Sequence, residues 1–218
     1  MTMGSRSLMD VAGWEAFLHG VFAIAITLLV LDIRVPPAAD TPNASALLEF
    51  LGSELSRYVA YVLGFMYLGL YWVNTHRVLR LLRGVDHWFL VLGLVYLMVV
   101  AALPFVTALL AEYLGQDQGR DRLALVVFTG WQLILAILAN AVFRYAVVGG
   151  RLLRPDVSES SMRPFLRISL MGPVIWTVAL ASALLLSGAI TLALMGVLLV
   201  MFVMEPPGGA SEATARSD

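Results

Sequence analysis

The sequence predicts an all-α integral membrane protein with six transmembrane helices and both termini in the cytoplasm. Three observations carry that prediction. Apolar residues make up 60% of the 218 residues and charged ones only 13%, against about half and about a quarter in soluble domains. The apolar residues gather into six runs, each near the ~20 residues that cross ~30 Å of hydrocarbon. Arginines cluster in alternate connections between the runs. Mean hydropathy is +0.87, and such an excess in a chain of this length fits several spans better than one buried core.

The first run covers about residues 14–33. Its leader "MTMGSRSLMD" is polar and the run has the length of a span, so no cleavable signal is expected, even before "PPAAD". The second covers about 55–73 and the third about 88–111, where Pro104 should kink the helix. The fourth covers 123–148, the fifth 165–186 with Gly172-Pro173 inside it, and the sixth 189–204. Only "SGA" separates the last two, which predicts a tight helical hairpin. No period-two alternation competes with helix. Residues 1–204 thus form one membrane domain, and "EPPGGASEATARSD" at 205–218 is expected to be a disordered cytoplasmic tail.

Orientation follows from arginine. "NTHRVLRLLRGVDH" places Arg77, Arg80 and Arg83 between the second and third spans. Arg151, Arg154 and Arg163 lie between the fourth and fifth, flanked by Arg144 and Arg167. Both connections belong inside by the positive-inside rule. The others carry Asp40, Glu49 and Glu54, or Glu112, Asp117 and Asp121. Trp14, Trp72 and Trp88 then fall near the inner interface as anchors.

Composition excludes several functions. A net charge of -1 supplies no field for nucleic acid. The absence of cysteine removes disulfides, thiolate metal sites and thiol catalysis. All 14 basic residues are arginine, which points to a GC-rich bacterial genome, and the location expected for the chain is the bacterial inner membrane, as a multi-pass protein. His19, His76 and His87 lack a further ligand or carboxylate at recognisable spacing. No enzyme, metal site or cofactor is therefore expected.

The first helix is sorted by angle. At 100° per residue, Phe17, Gly20, Leu28, Leu31 and Val35 lie within about 40° of Ile24, and Thr27 about 60° to one side. Ile24, Leu28 and Leu31 form a bulky ridge between the small shoulders Ala23 and Ala25. Small residues let helices approach closely in lipid, so a ridge of this kind suits several copies around a shared axis, with the alanines against neighbours. Ordinary packing or lipid contact produces the same stripe, and periodicity alone does not separate the two. Thr27 alone is equally a hydroxyl bonded to its own backbone one turn back. Glu15 and His19, four apart and therefore adjacent, lie opposite the ridge. Ionisable groups within a span usually face protein or a water cavity.

Three stretches resemble one family. "GVFAIAITLLVLDI", "GLYWVNTHRVLR" (Gly69 to Arg80) and "LPFVTALLAEY" (Leu103 to Tyr113) are similar, in order, to bacterial members of the transmembrane protein 175 family. The animal members are endolysosomal potassium channels. The resemblance implies a homotetramer of six-helix subunits, with a pore lined by the first helix and closed by large aliphatic side chains. Carried over, the constriction is Ile24, Leu28 and Leu31, and Thr27 matches a threonine near the ion path. The family usually begins this helix with arginine, three variable residues and Phe-Ser-Asp. Here Gly13 replaces the arginine, Phe17 remains, and Leu18 and His19 replace Ser-Asp. The usual Trp-x-Asn-His-His at the end of the second helix reads Trp72, Asn74, Thr75, His76. Glu15, Phe17, His19, Trp72, Asn74 and His76 are the expected inter-helix network.

An aliphatic ring that excludes water opposes ions by dewetting. Potassium, with the looser hydration shell, should lose less than sodium in passing, and Thr27 hydroxyls or carbonyls should replace part of that shell. Asp32, about 80° from Ile24 near the outer mouth, is either a four-fold negative ring for cations or an interfacial carboxylate without that role. The expected function is a potassium-preferring channel whose partners are its own copies, the bilayer and monovalent cations. The alternatives are a proton-coupled transporter, which needs ionisable groups at mid-membrane, and a non-conducting scaffold.

Overall fold

The computed structural model describes residues 8–116 and 119–204. The tail at 205–218 and Asp117 of the acidic connection lie outside the described residues. Within them the chain forms α1 (Val11–Leu28), α2 (Ala44–Ser53), α3 (Leu55–Arg80), α4 (His87–Ala101), α5 (Leu103–Tyr113), α6 (Arg120–Val147), α7 (Glu159–Ile168), α8 (Met171–Leu185) and α9 (Gly188–Met204). A 3-10 turn, Leu29–Asp32, extends α1.

Local chemistry sets the starts. Asp10, Asn43, Asp86 and Ser158 each accept a backbone N–H of the following turn through a side-chain oxygen, as helix N-caps do. Proline sets the interruptions. Pro104 has no N–H to give the Val100 carbonyl, and the path from His87 to Tyr113 breaks between α4 and α5 at Ala102. Pro173 likewise cannot bond Ser169, and the fifth expected span is divided into α7 and α8. Two residues, Leu186 and Ser187, join α8 to α9 in the expected hairpin.

Four paths among the described residues are both long and apolar enough to cross a bilayer: Val11–Asp32, His87–Tyr113, Arg120–Val147 and Ser160–Leu185. α3 has the length, 26 residues or ~39 Å at 1.5 Å per residue, but tyrosines and Trp72 dilute its hydrophobicity. α9 is 17 residues long. α2 was not expected. Its sequence "ASALLEFLGS" carries no buried residue and lies in the first connection.

α1 packs on α3 and α4 through Leu18, Phe22, Ala25 and Leu29, one stripe at helical spacing. Two glycines make the approach possible. A Cβ on Gly64 of α3 would stand 2.9 Å from Thr107 and 3.2 Å from Leu29. A Cβ on Gly93 of α4 would collide with the Trp14 indole. α6 lies among α4, α5, α8 and α9. It meets α8 across small residues, where a Cβ on Gly172 would stand 3.7 Å from that of Ala136, the close contact on which helices in lipid depend.

Candidate functional site

The outward face of α1 carries the residues singled out from sequence. Ile24 is 62% exposed, Leu28 42% and Leu31 73%, whereas Leu18 and Phe22 on the opposite stripe are 1% exposed. The subunit therefore uses one side of α1 and leaves the bulky ridge bare. The two alanine shoulders differ. Ala23 is exposed, but Ala25 is buried against the same subunit, so only Ala23 is free to meet a neighbouring copy.

Thr27 is exposed, and its hydroxyl donates to the carbonyls of Ala23 at 3.0 Å and Ile24 at 2.9 Å. The proton is committed to the helix, and the oxygen keeps its acceptor lone pairs outward.

At the end of α1 that carries Asp32, this residue lines a cavity of about 330 Å³ with Leu31, Arg34, Arg57, Phe105 and Glu112. Arg57, nearly buried on α3, lies 2.5 Å from Glu54 and pairs with Glu112 of α5. Arg34 donates to the same Glu112 oxygen at 2.9 Å. Asp32 is thus not an isolated acid at a mouth, because two arginines line the same cavity. Sequence reading missed Arg57, although its i,i+3 spacing from Glu54 was a visible signal.

At the opposite end α1 meets the last turns of α3. His76 Nδ1 lies 3.1 Å and His19 Nε2 3.8 Å from the same Glu15 oxygen. Trp72 stacks on His76 at 5.7 Å with rings 11° apart, and His19 tilts against both rings. The structure brings Glu15, His19, Trp72 and His76 together and leaves two expected members out. Asn74 is exposed, since two residues from His76 along a helix is roughly the opposite side. Phe17 is exposed on the ridge side, its ring 5.9 Å from Trp14. Glu15 and His19 are neighbours by their spacing on α1, and His76 reaches the same carboxylate from α3.

The same end carries a second network. Asp86, 1% exposed, caps α4, accepts from the Tyr145 hydroxyl at 3.0 Å and pairs with Arg151 at 2.5 Å. Arg83 donates to the Arg151 carbonyl at 2.9 Å, and Met9 pairs with Val85 through two backbone hydrogen bonds. Three distant segments are thereby fastened at one end. Mid-bundle, Gln132 of α6 is fully buried, and neither side-chain polar atom has a partner among the described residues.

Long apolar helices with the described ion pairs at the two ends of the bundle define a multi-pass membrane protein. The chain belongs to the TMEM175 family. The family model described as "Endosomal/lysosomal potassium channel TMEM175" matches residues 14–104. A potassium channel of Streptomyces collinus is 39% identical over 208 residues, 93% of this chain and 97% of the relative. A potassium channel of Chamaesiphon minutus is 38% identical over 77% of this chain and 81% of its own length. The crystal structure of a lysosomal potassium-selective channel TMEM175 homolog from Chamaesiphon minutus superposes with a TM-score of 0.77. It is 34% identical and covers 88% of this chain and 96% of that one. The family read from three sequence stretches is therefore the right one, and these relatives are named as ion channels, not enzymes.

Proposed function

We propose that this chain is a potassium-preferring cation channel of a bacterial inner membrane. Four six-span subunits, with their termini in the cytoplasm, surround a pore lined by four copies of α1. Ile24, Leu28 and Leu31 form the constriction. The observation that supports this reading most is the asymmetry of α1: its bulky ridge is bare in a subunit that buries the other stripe completely. The names of the relatives supply the permeant ion.

The chemistry follows from the side chains. Aliphatic groups converging on an axis offer water no hydrogen bonds, so a narrow ring of them dries and stops ions. Passage requires the ring to widen until water enters. Thr27 oxygens, their protons held by the helix backbone, are acceptors suited to a partly dehydrated cation. The cavity near Asp32 holds carboxylates and guanidinium groups together, so it is not a simple negative ring.

Ile24→Asn places an amide in the ring and should wet it. In proteoliposomes the variant is expected to raise potassium flux and narrow the difference between potassium and sodium. Flux and selectivity equal to the parent chain would remove Ile24 from the constriction.

A further inference from the structure

We propose that Glu15, His19 and His76 form a binding site for a transition-metal dication of the Zn²⁺ type, which ties α1 to α3. The ligating atoms already converge. One oxygen and two imidazole nitrogens, on side chains from two helices, lie within 4.8 Å of one another. A tetrahedral ion with ligand bonds of ~2.0–2.1 Å needs its ligands roughly 3.3 Å apart. The Glu15–His76 separation is 3.1 Å and the Glu15–His19 separation 3.8 Å, so small side-chain rotations complete three corners. Water would take the fourth, as in zinc sites with three protein ligands.

A second observation points the same way. His19 Nε2 and His76 Nδ1 are shielded from solvent and make no hydrogen bond of acceptable geometry among the described residues, even to the carboxylate they approach. Buried polar atoms are nearly always satisfied, and a metal ion satisfies both nitrogens at once. Glu15 and His19 are one turn apart on α1, the spacing that lets two ligands on one helix face share an ion. Trp72 lies against both imidazoles and holds the His76 ring parallel to its own. Two imidazoles and one carboxylate favour zinc, nickel or copper over magnesium and calcium, which prefer all-oxygen shells.

The site does not depend on the proposed pore, and its test reads binding alone. The purified full chain, stripped with a chelator, is titrated with Zn²⁺ by calorimetry and by thermal unfolding. One ion per subunit is expected, with a rise in Tm by mass action and no response to Mg²⁺. H19Q and H76Q should each weaken binding by about tenfold or more, whereas H87Q, the remaining histidine, should keep it. Co²⁺ in the parent chain reads the site without a variant, through the visible bands of a four-coordinate nitrogen-oxygen centre. No binding by the parent chain, only the spectrum of hydrated Co²⁺, or Zn²⁺ binding that survives both H19Q and H76Q would each overturn the proposal.

Discussion

α1 and α6 are equally suited to a bilayer by length and hydropathy, yet the subunit treats them differently. α6 is surrounded by α4, α5, α8 and α9, and it buries residues of several kinds, including Thr129 and Gln132. α1 buries one stripe and leaves Ile24, Leu28 and Leu31 bare. Hydrophobicity alone therefore does not say what a membrane helix faces. In α6, small residues mark contact with another helix of the same chain. In α1, large residues gather where the described residues of the subunit offer no partner, a face open to lipid or another copy.

Substitutions can break or sharpen this contrast. Phe22→Ala removes a fully buried ring that touches Tyr96, and a loss of about 3 kcal/mol is expected in reversible unfolding in micelles. A loss below about 1 kcal/mol would mean that the buried stripe of α1 is not packed as described. Arg57→Met leaves Glu54 and Glu112 without their shared cation. It should cost about 2 kcal/mol, less than a fully buried pair because Glu112 is partly exposed. The double change R57M/E112M should recover part of that loss, and full additivity would deny the pairing.

In the interior of α6, Gln132→Leu substitutes an apolar group of similar size for an unpartnered amide. It should stabilise by about 1 kcal/mol, and destabilisation would reveal a polar partner for the amide. On the bare ridge, Leu31→Ala should move stability by less than about 0.5 kcal/mol while altering ion flux. A large stability loss there would place Leu31 inside a subunit core.

Much of this was legible in the sequence, for reasons that differ from element to element. Hydropathy marked the long helices because lipid imposes one requirement along a whole span. The break at Ala102 was legible because proline's missing N–H acts locally. The division at Ser169 has the same cause at Pro173, but Gly172-Pro173 lay inside an apolar run and was read as continuous. α2 was not legible, since its ten residues are too few to carry a clear period. At the site, Glu15 and His19 were paired by spacing alone. Asn74 and Phe17 were carried into the network by resemblance, and each is exposed in the single subunit, away from the Glu15 cluster. The Asp86–Arg151 pair spans 65 residues, and nothing local announces a contact of that range.

The central claim is that copies of α1 face one another. The chain contains no cysteine, so Leu31→Cys introduces a single thiol on the ridge. In proteoliposomes, a short bifunctional thiol reagent should link subunits of this variant into covalent dimers. Ridges turned toward acyl chains would yield monomer only, and that result would contradict the account.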